Sequence, residues 1–155
     1  MADLSDLLRP DAVLLGVSAL GKKPLFGLLG TVLAAQTGAD ARLVAAALAD
    51  RERLGSTGFG GGVALPHAKL AGLSQVTCAF VRLAQPIDYD AVDAAPVDLV
   101  MALLSPAHAG ADHLKALARV SRRLRDRAFL AKLRGAGSRD ALWALFTEDR
   151  ARDAA

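Results

Sequence analysis

Val97-Asp-Leu-Val-Met-Ala-Leu-Leu104 is an eight-residue run, apolar on both of its alternating faces except at Asp98. Val76-Thr-Cys-Ala-Phe-Val-Arg-Leu83 repeats the pattern, with Arg82 as its charged exception. Successive side chains of a strand point to opposite faces, so a strand apolar on both is covered on both. These two runs predict the centre of a sheet flanked by helices. Working outward, Leu4, Leu7 and Leu8 suggest a short opening helix stopped by Pro10, and residues 12–16 read as a short strand. Leu25, Leu28, Leu29, Val32 and Leu33 recur at helical spacing, with Gly38 as the left-handed stop. Asp40 is placed to cap a second helix over 41–53. Five glycines between Gly55 and Gly62 read as a loop, and residues 63–65 return to strand composition. Residues 113–124 and 129–133 are helical in pattern, and Ser138 caps a last helix carrying Leu142, Leu145 and Phe146. The order predicts an α/β sandwich: one mixed sheet of about five strands with helices on both faces.

Composition narrows the class. The 155 residues fit one domain, and 53% hydrophobic with 23% charged residues excludes intrinsic disorder. No apolar run approaches the ~20 residues of a membrane span. The start, Met-Ala-Asp-Leu-Ser-Asp, is acidic and lacks the basic region of a signal peptide. Cys78 is the single cysteine, so no internal disulfide framework exists, and a reducing cytoplasm suits the chain. Its apolar surroundings read as core. The net charge of +3 is concentrated between Lys115 and Arg134. That cluster reads first as a solvated helix face and second as a docking face for an acidic protein. Nucleic acid ranks last, because aromatics are only 5% of the chain and none precedes Phe129 there. The expectation is a soluble, cytoplasmic protein without nucleic acid, membrane span, metal or cofactor.

Two stretches resemble phosphate-binding devices. Gly16-Val-Ser-Ala-Leu-Gly21-Lys22-Lys23 nearly matches G-x-x-x-x-G-K-[ST], but Lys23 has no hydroxyl for Mg²⁺ and Pro24 follows at once. Nucleotide hydrolysis is set aside. The second stretch is Arg51-Glu-Arg-Leu-Gly-Ser-Thr-Gly-Phe-Gly-Gly-Gly-Val-Ala-Leu-Pro-His67. Glycines this dense serve either a tight turn around packed elements or the close approach of an anion to bare N–H groups. Both readings stand at this point. Ser56 and Thr57 add hydroxyls, and Arg51 offers a planar grip on phosphate oxygens. Pro66 stiffens the chain beside His67, whose neutral imidazole is a competent nucleophile near pH 7. A lone histidine is also commonly structural, and His113 could simply start its helix. His108, five residues before His113, reads as a loop residue.

The segment 49–67 resembles the signature of phosphotransferase-system enzyme IIA proteins of the fructose/mannitol type, especially the nitrogen-regulatory branch. That family's pattern runs approximately R-E-x-x-G-S-T-G-I-G-x-G-I-A-I-P-H. Cys78-Ala-Phe-Val-Arg-Leu-Ala-Gln-Pro-Ile-Asp88 is similar to a family strand and turn, and Asp112-His113-Leu-Lys-Ala-Leu-Ala118 to its H-L-x-x-L-[AS] helix start. The likeness takes in most of residues 1–148, read as one domain, with 149–155 as a flexible tail. It implies that His67 takes a phosphoryl group from an HPr-type phosphocarrier, that Arg51 lies near that phosphate and that His113 orients or polarises His67. Ser56, Thr57, Gly58 and Gly60 would cradle the phosphate, with no metal or cofactor. With no fused IIB or IIC segment expected, the resemblance implies regulation of target proteins, such as a potassium transporter or a sensor kinase, through phosphorylation state. Sugar-specific IIA uptake, passing phosphate to a IIB domain, and a binding module without phosphorylation are the rival readings. Phe59 and Leu65 would form an apolar docking rim. Phe59 and Ala68 depart from the pattern, and Ala68 would be strained if its position demanded positive φ.

Overall fold

The computed structural model describes residues 3–147. Its strands are β1 (Leu8–Val17), β2 (Gly58–Gly60), β3 (Val63–Ala64), β4 (His67–Leu70), β5 (Thr77–Ile87) and β6 (Val97–Pro106). Its helices are α1 (Lys22–Thr37), α2 (Ala41–Arg53), α3 (Ala111–Leu124), α4 (Arg127–Gly135) and α5 (Arg139–Thr147). The strands form one six-stranded mixed sheet in the order β1-β5-β6-β3-β2, with β4 pairing β6 beyond β3. The two apolar runs are β5 and β6, paired antiparallel at its centre. β1 runs parallel to β5, and β3 and β4 run parallel to β6.

Both faces of β5 are buried, and each has its own cover. Phe80 meets Phe146 of α5 at a ring separation of 4.9 Å, and Phe146 in turn meets Phe129 of α4 at 5.6 Å. On the opposite face Ala79, Val81 and Leu83 are buried, with α1 packed on β1 and β5 and α2 packed on α1 and β4. The two charged exceptions in these strands have partners at the end of α4. Arg82 donates to the carbonyls of Leu133, Arg134 and Ala136 at 2.8, 3.1 and 2.6 Å. Asp98 accepts from Arg134 Nε and Nη2 at 2.9 and 2.8 Å. Charge in an apolar strand is here the anchor of a covering helix.

Helix boundaries follow local chemistry. Gly38 takes φ 79° and sends its N–H to Ala34 O, ending α1. Asp40 accepts from the Arg42 N–H at the start of α2, Asp126 from Ala128 and Phe129 in α4, and Ser138 from Ala141 in α5. Two expectations need correction. The opening helix is only a turn, in which Leu7 and Leu8 N–H groups donate to Leu4 O, and Leu8 already begins β1. Pro10 sits inside that strand because β1 is an edge, where a missing donor is tolerated. The glycine-rich segment is no plain loop: Gly58–Gly60 and Val63–Ala64 pair antiparallel as a short hairpin. The expected helix-covered mixed sheet is present, its six strands including two of only two or three residues. The tail expected at 149–155 lies outside the described residues.

Candidate functional site

Residues 63–70 run beside β6 in one unbroken register. Val63 and Ala64 face Leu99 and Val100, while His67 through Leu70 face Leu103 through Pro106. Pro66 spans the gap without a donor, and its carbonyl accepts from Leu103 N at 2.9 Å. His67 therefore stands on a strand anchored to the centre of the sheet, not on a free loop. Its Nδ1 lies 2.8 Å from Leu65 O. A carbonyl only accepts, so Nδ1 carries the proton and Nε2 of the neutral ring keeps its lone pair. Burial lowers the pKa of this half-buried imidazole; the Leu65 contact and Glu52 oppose the shift, and Arg51 adds to it. The neutral form thus prevails at pH 7.

The ring opens onto a cleft of about 450 Å³ whose walls include Asp50, Arg51, Leu54, Lys69 and His113. Arg51 comes from the last turn of α2, with Nη1 donating to Gly55 O at 3.1 Å. That single contact leaves most of its donor fork uncommitted. Lys69 follows His67 by two residues on β4, hence on the same face, and is exposed. His113 lies in the first turn of α3, its ring centroid 5.8 Å from that of His67. His113 Nδ1 sits 2.6 Å from the buried Ser105 hydroxyl at the end of β6. Burial, and then the neighbouring His67 and Lys69, lower its pKa. Two neutral imidazoles, a guanidinium and an ammonium thus converge on one space, a setting for an incoming anion.

The remaining loop candidates do not line this cleft. Thr57 donates its N–H to both oxygens of Glu52 at 3.1 and 3.2 Å, and its hydroxyl donates to Oε1 at 2.6 Å. Tyr89 OH joins the cluster 2.9 Å from Thr57 Oγ1, and Lys22 Nζ reaches Glu52 at 2.9 Å. Ser56 Oγ accepts from Gly58 N at 3.1 Å, closing a local turn. A Cβ on Gly58 would lie 2.8 Å from Ala91 Cβ, so this glycine answers to packing. Gly60 has φ 115° beside Asp93, whose carboxylate accepts from Gly61 N. At these four positions the tight turn around packed elements accounts for the sequence.

Sequence reading assigned no role to Glu52, Ser105 or Lys69. Ser105 was legible only as the polar end of an apolar run, and the Glu52 partners Lys22 and Tyr89 lie thirty or more positions away. Leu65 is 6% exposed and cannot belong to a docking rim, whereas Leu54, 84% exposed, borders the cleft. Phe59 is half-buried under Arg125, 5.4 Å from its ring centroid. Ala68 is not among the positive-φ residues and carries no such strain. The near-match at Gly16–Lys23 spends Lys22 on Glu52. His108 is exposed in the turn before α3, and burial pushes the Cys78 thiol up to about 12. Among the described residues no helix is long and apolar enough to cross a membrane, and no cluster of three or more His, Cys, Asp or Glu could hold a metal.

Residues 6–149 match the family described as phosphoenolpyruvate-dependent sugar phosphotransferase system, EIIA 2. A nitrogen regulatory protein of Bradyrhizobium diazoefficiens is 47% identical over 138 residues, covering 89% of each chain. The crystal structure of nitrogen regulatory protein IIA-Ntr from Neisseria meningitidis superposes with a TM-score of 0.88 at 33% identity, over 93% of this chain and 99% of that one. IIA mannitol from Escherichia coli shares the fold, with a TM-score of 0.75 at 19% identity over 90% of this chain and 98% of that one.

Proposed function

The chain belongs to the EIIA 2 family of the phosphotransferase system, and from that premise we propose that it is a regulatory phosphocarrier whose acceptor is Nε2 of His67. The observation that carries the reading is the Nδ1–H to Leu65 O hydrogen bond at 2.8 Å. It fixes the tautomer and leaves one lone pair directed away from the strand. The donor is a phosphohistidine of an HPr-type carrier. Its N–P bond breaks, the electron pair returns to the donor imidazole, and the Nε2–P bond forms on His67. Positive charge developing on the His67 ring is held by the Leu65 carbonyl through Nδ1–H. Arg51 and Lys69 face the phosphoryl oxygens, and His113 orients or polarises the acceptor. Little covalent help is needed in such a transfer; in-line placement and charge neutralisation supply most of it.

Phosphorylation places about −1.5 to −2 charge in this cleft. Target proteins that meet the Leu54 rim then discriminate the two forms by charge. The test is incubation with phosphoenolpyruvate, enzyme I and an HPr-type carrier, followed by intact mass before and after acid. One acid-labile phosphate is expected on the wild type and none on His67→Ala. Acid-stable label, or label persisting in His67→Ala, overturns the assignment. Phosphate passing onward to a purified IIB domain at the rate of sugar-specific IIA proteins would replace regulation with uptake.

A further inference from the structure

A second cleft, of about 620 Å³, lies between α1 and α2 and shares no lining residue with the cleft at His67. The helices touch where Gly30 meets α2, so closely that a Cβ there would stand 2.5 Å from Ala41 O. Toward the other end Gly27, Ala45 and Ala49 face one another, too small to fill the space, and Phe26 forms part of the lining. The volume lies within the ~300–1,000 Å³ of small-molecule sites.

Its charges are unequal in availability. Lys22 is held by Glu52 at 2.9 Å and lies 4.6 Å from the Tyr89 ring centroid. Arg53 is paired with Asp50. Lys23 is exposed and has no partner among the described residues. Gly21 provides no side-chain cap for α1 either. An apolar pocket with one uncommitted ammonium, next to a second that can be shared, complements a compact anion with an apolar body. A polyacidic peptide would require several free cations along an open track.

We propose that the α1–α2 cleft binds a small organic anion, an aromatic or branched aliphatic carboxylate, with its body between Phe26, Ala45 and Ala49 and its anionic group on Lys23 and Lys22. Glu52 is shared: it forms one wall here and holds Thr57 N–H on its other side. Occupancy is therefore felt at the Thr57 amide.

The amphipathic anion 8-anilino-1-naphthalenesulfonate is the probe, titrated by fluorescence against the full chain. Saturable one-to-one enhancement is expected, displaced by millimolar benzoate, with a shift of the Thr57 amide resonance. Lys23→Glu should weaken binding about tenfold through charge alone. Gly27→Leu should abolish it by occupying the cleft, where a Cβ on Gly27 meets nothing within 4 Å. Unchanged thermal unfolding of Lys23→Glu serves as the fold control. No enhancement, equal binding in Lys23→Glu, or equally tight binding of uncharged N-phenyl-1-naphthylamine overturns the site. Displacement by poly-glutamate but not by benzoate overturns the small-anion assignment in favour of an acidic segment.

Discussion

Glu52 shows how much one buried side chain governs near the proposed transfer site. Burial alone would raise its pKa, but hydrogen bonds from Thr57 and Lys22 outweigh that penalty and leave it below the ordinary 4.5. The folded pKa being the lower one, the stabilisation is complete above pH 4.5 and is lost as pH falls through the folded value. Glu52→Gln should therefore lower the thermal midpoint at pH 7 and converge with the wild type in acid; parallel curves at all pH values would refute the linkage. His67 has the same direction of shift and a different consequence. Because burial holds its pKa below the ordinary 6.5, the loss of phosphoryl acceptance in acid should have its midpoint below pH 6.5. A rate falling by half already at pH 6.5, measured with a fixed phosphorylated donor, would contradict it. The segment proposed to hold the acceptor was readable because its residues are contiguous in sequence. The Glu52 cluster was not, since Tyr89 follows Glu52 by 37 positions and only the turn at β5's end brings them together.

Elements that pack through glycine respond to a methyl group according to what that methyl meets. On α1, Gly30 and Gly27 are three residues apart yet have opposite surroundings. A Cβ on Gly30 lies 2.5 Å from backbone Ala41 O and 3.2 Å from Ala45 Cβ, so the helices must part. Gly30→Ala should cost about 1–3 kcal/mol by overpacking. Gly27→Ala meets nothing within 4 Å and should stabilise by up to about 1 kcal/mol through helix propensity alone. Urea denaturation of the two variants gives the sign directly, and a destabilised Gly27→Ala would show that the cleft beside it is not open. Apolar periodicity revealed α1 and α2 well but said nothing of this contrast, because spacing records which face is buried and not how near its neighbour comes. The same limit explains the opening segment. Leu4, Leu7 and Leu8 repeat as a helix would, yet Leu8 is claimed by pairing with Cys78 at the sheet edge. Edge position likewise turned Pro10 from an expected stop into a residue within a strand.

Across the whole molecule, the proposed acceptor is fixed to the buried centre of the sheet. His67 pairs Leu103 in a register continuous from Val63 to Leu70, and β6 beneath it is fully buried at Leu99 through Leu104. Elsewhere in the molecule Arg82 and Asp98 fasten α4, while Arg119 binds Asp6 through two 2.8 Å contacts and ties α3 to the N-terminal segment. A charge added at Nε2 acts on Arg51, Lys69 and His113 across open space, whereas moving β4 would break backbone bonds along the sheet centre. The switch should therefore be electrostatic, with little conformational change. In amide spectra recorded before and after phosphorylation, shifts should cluster at residues 47–54, 65–70 and 113, with α4 and α5 unmoved. Arg51→Ala should shrink the shift at the end of α2 without enlarging the affected region. Perturbations reaching Phe129 or Phe146 would instead mean that phosphorylation repacks the core under α4 and α5, and targets would then read a change of shape as well as of charge.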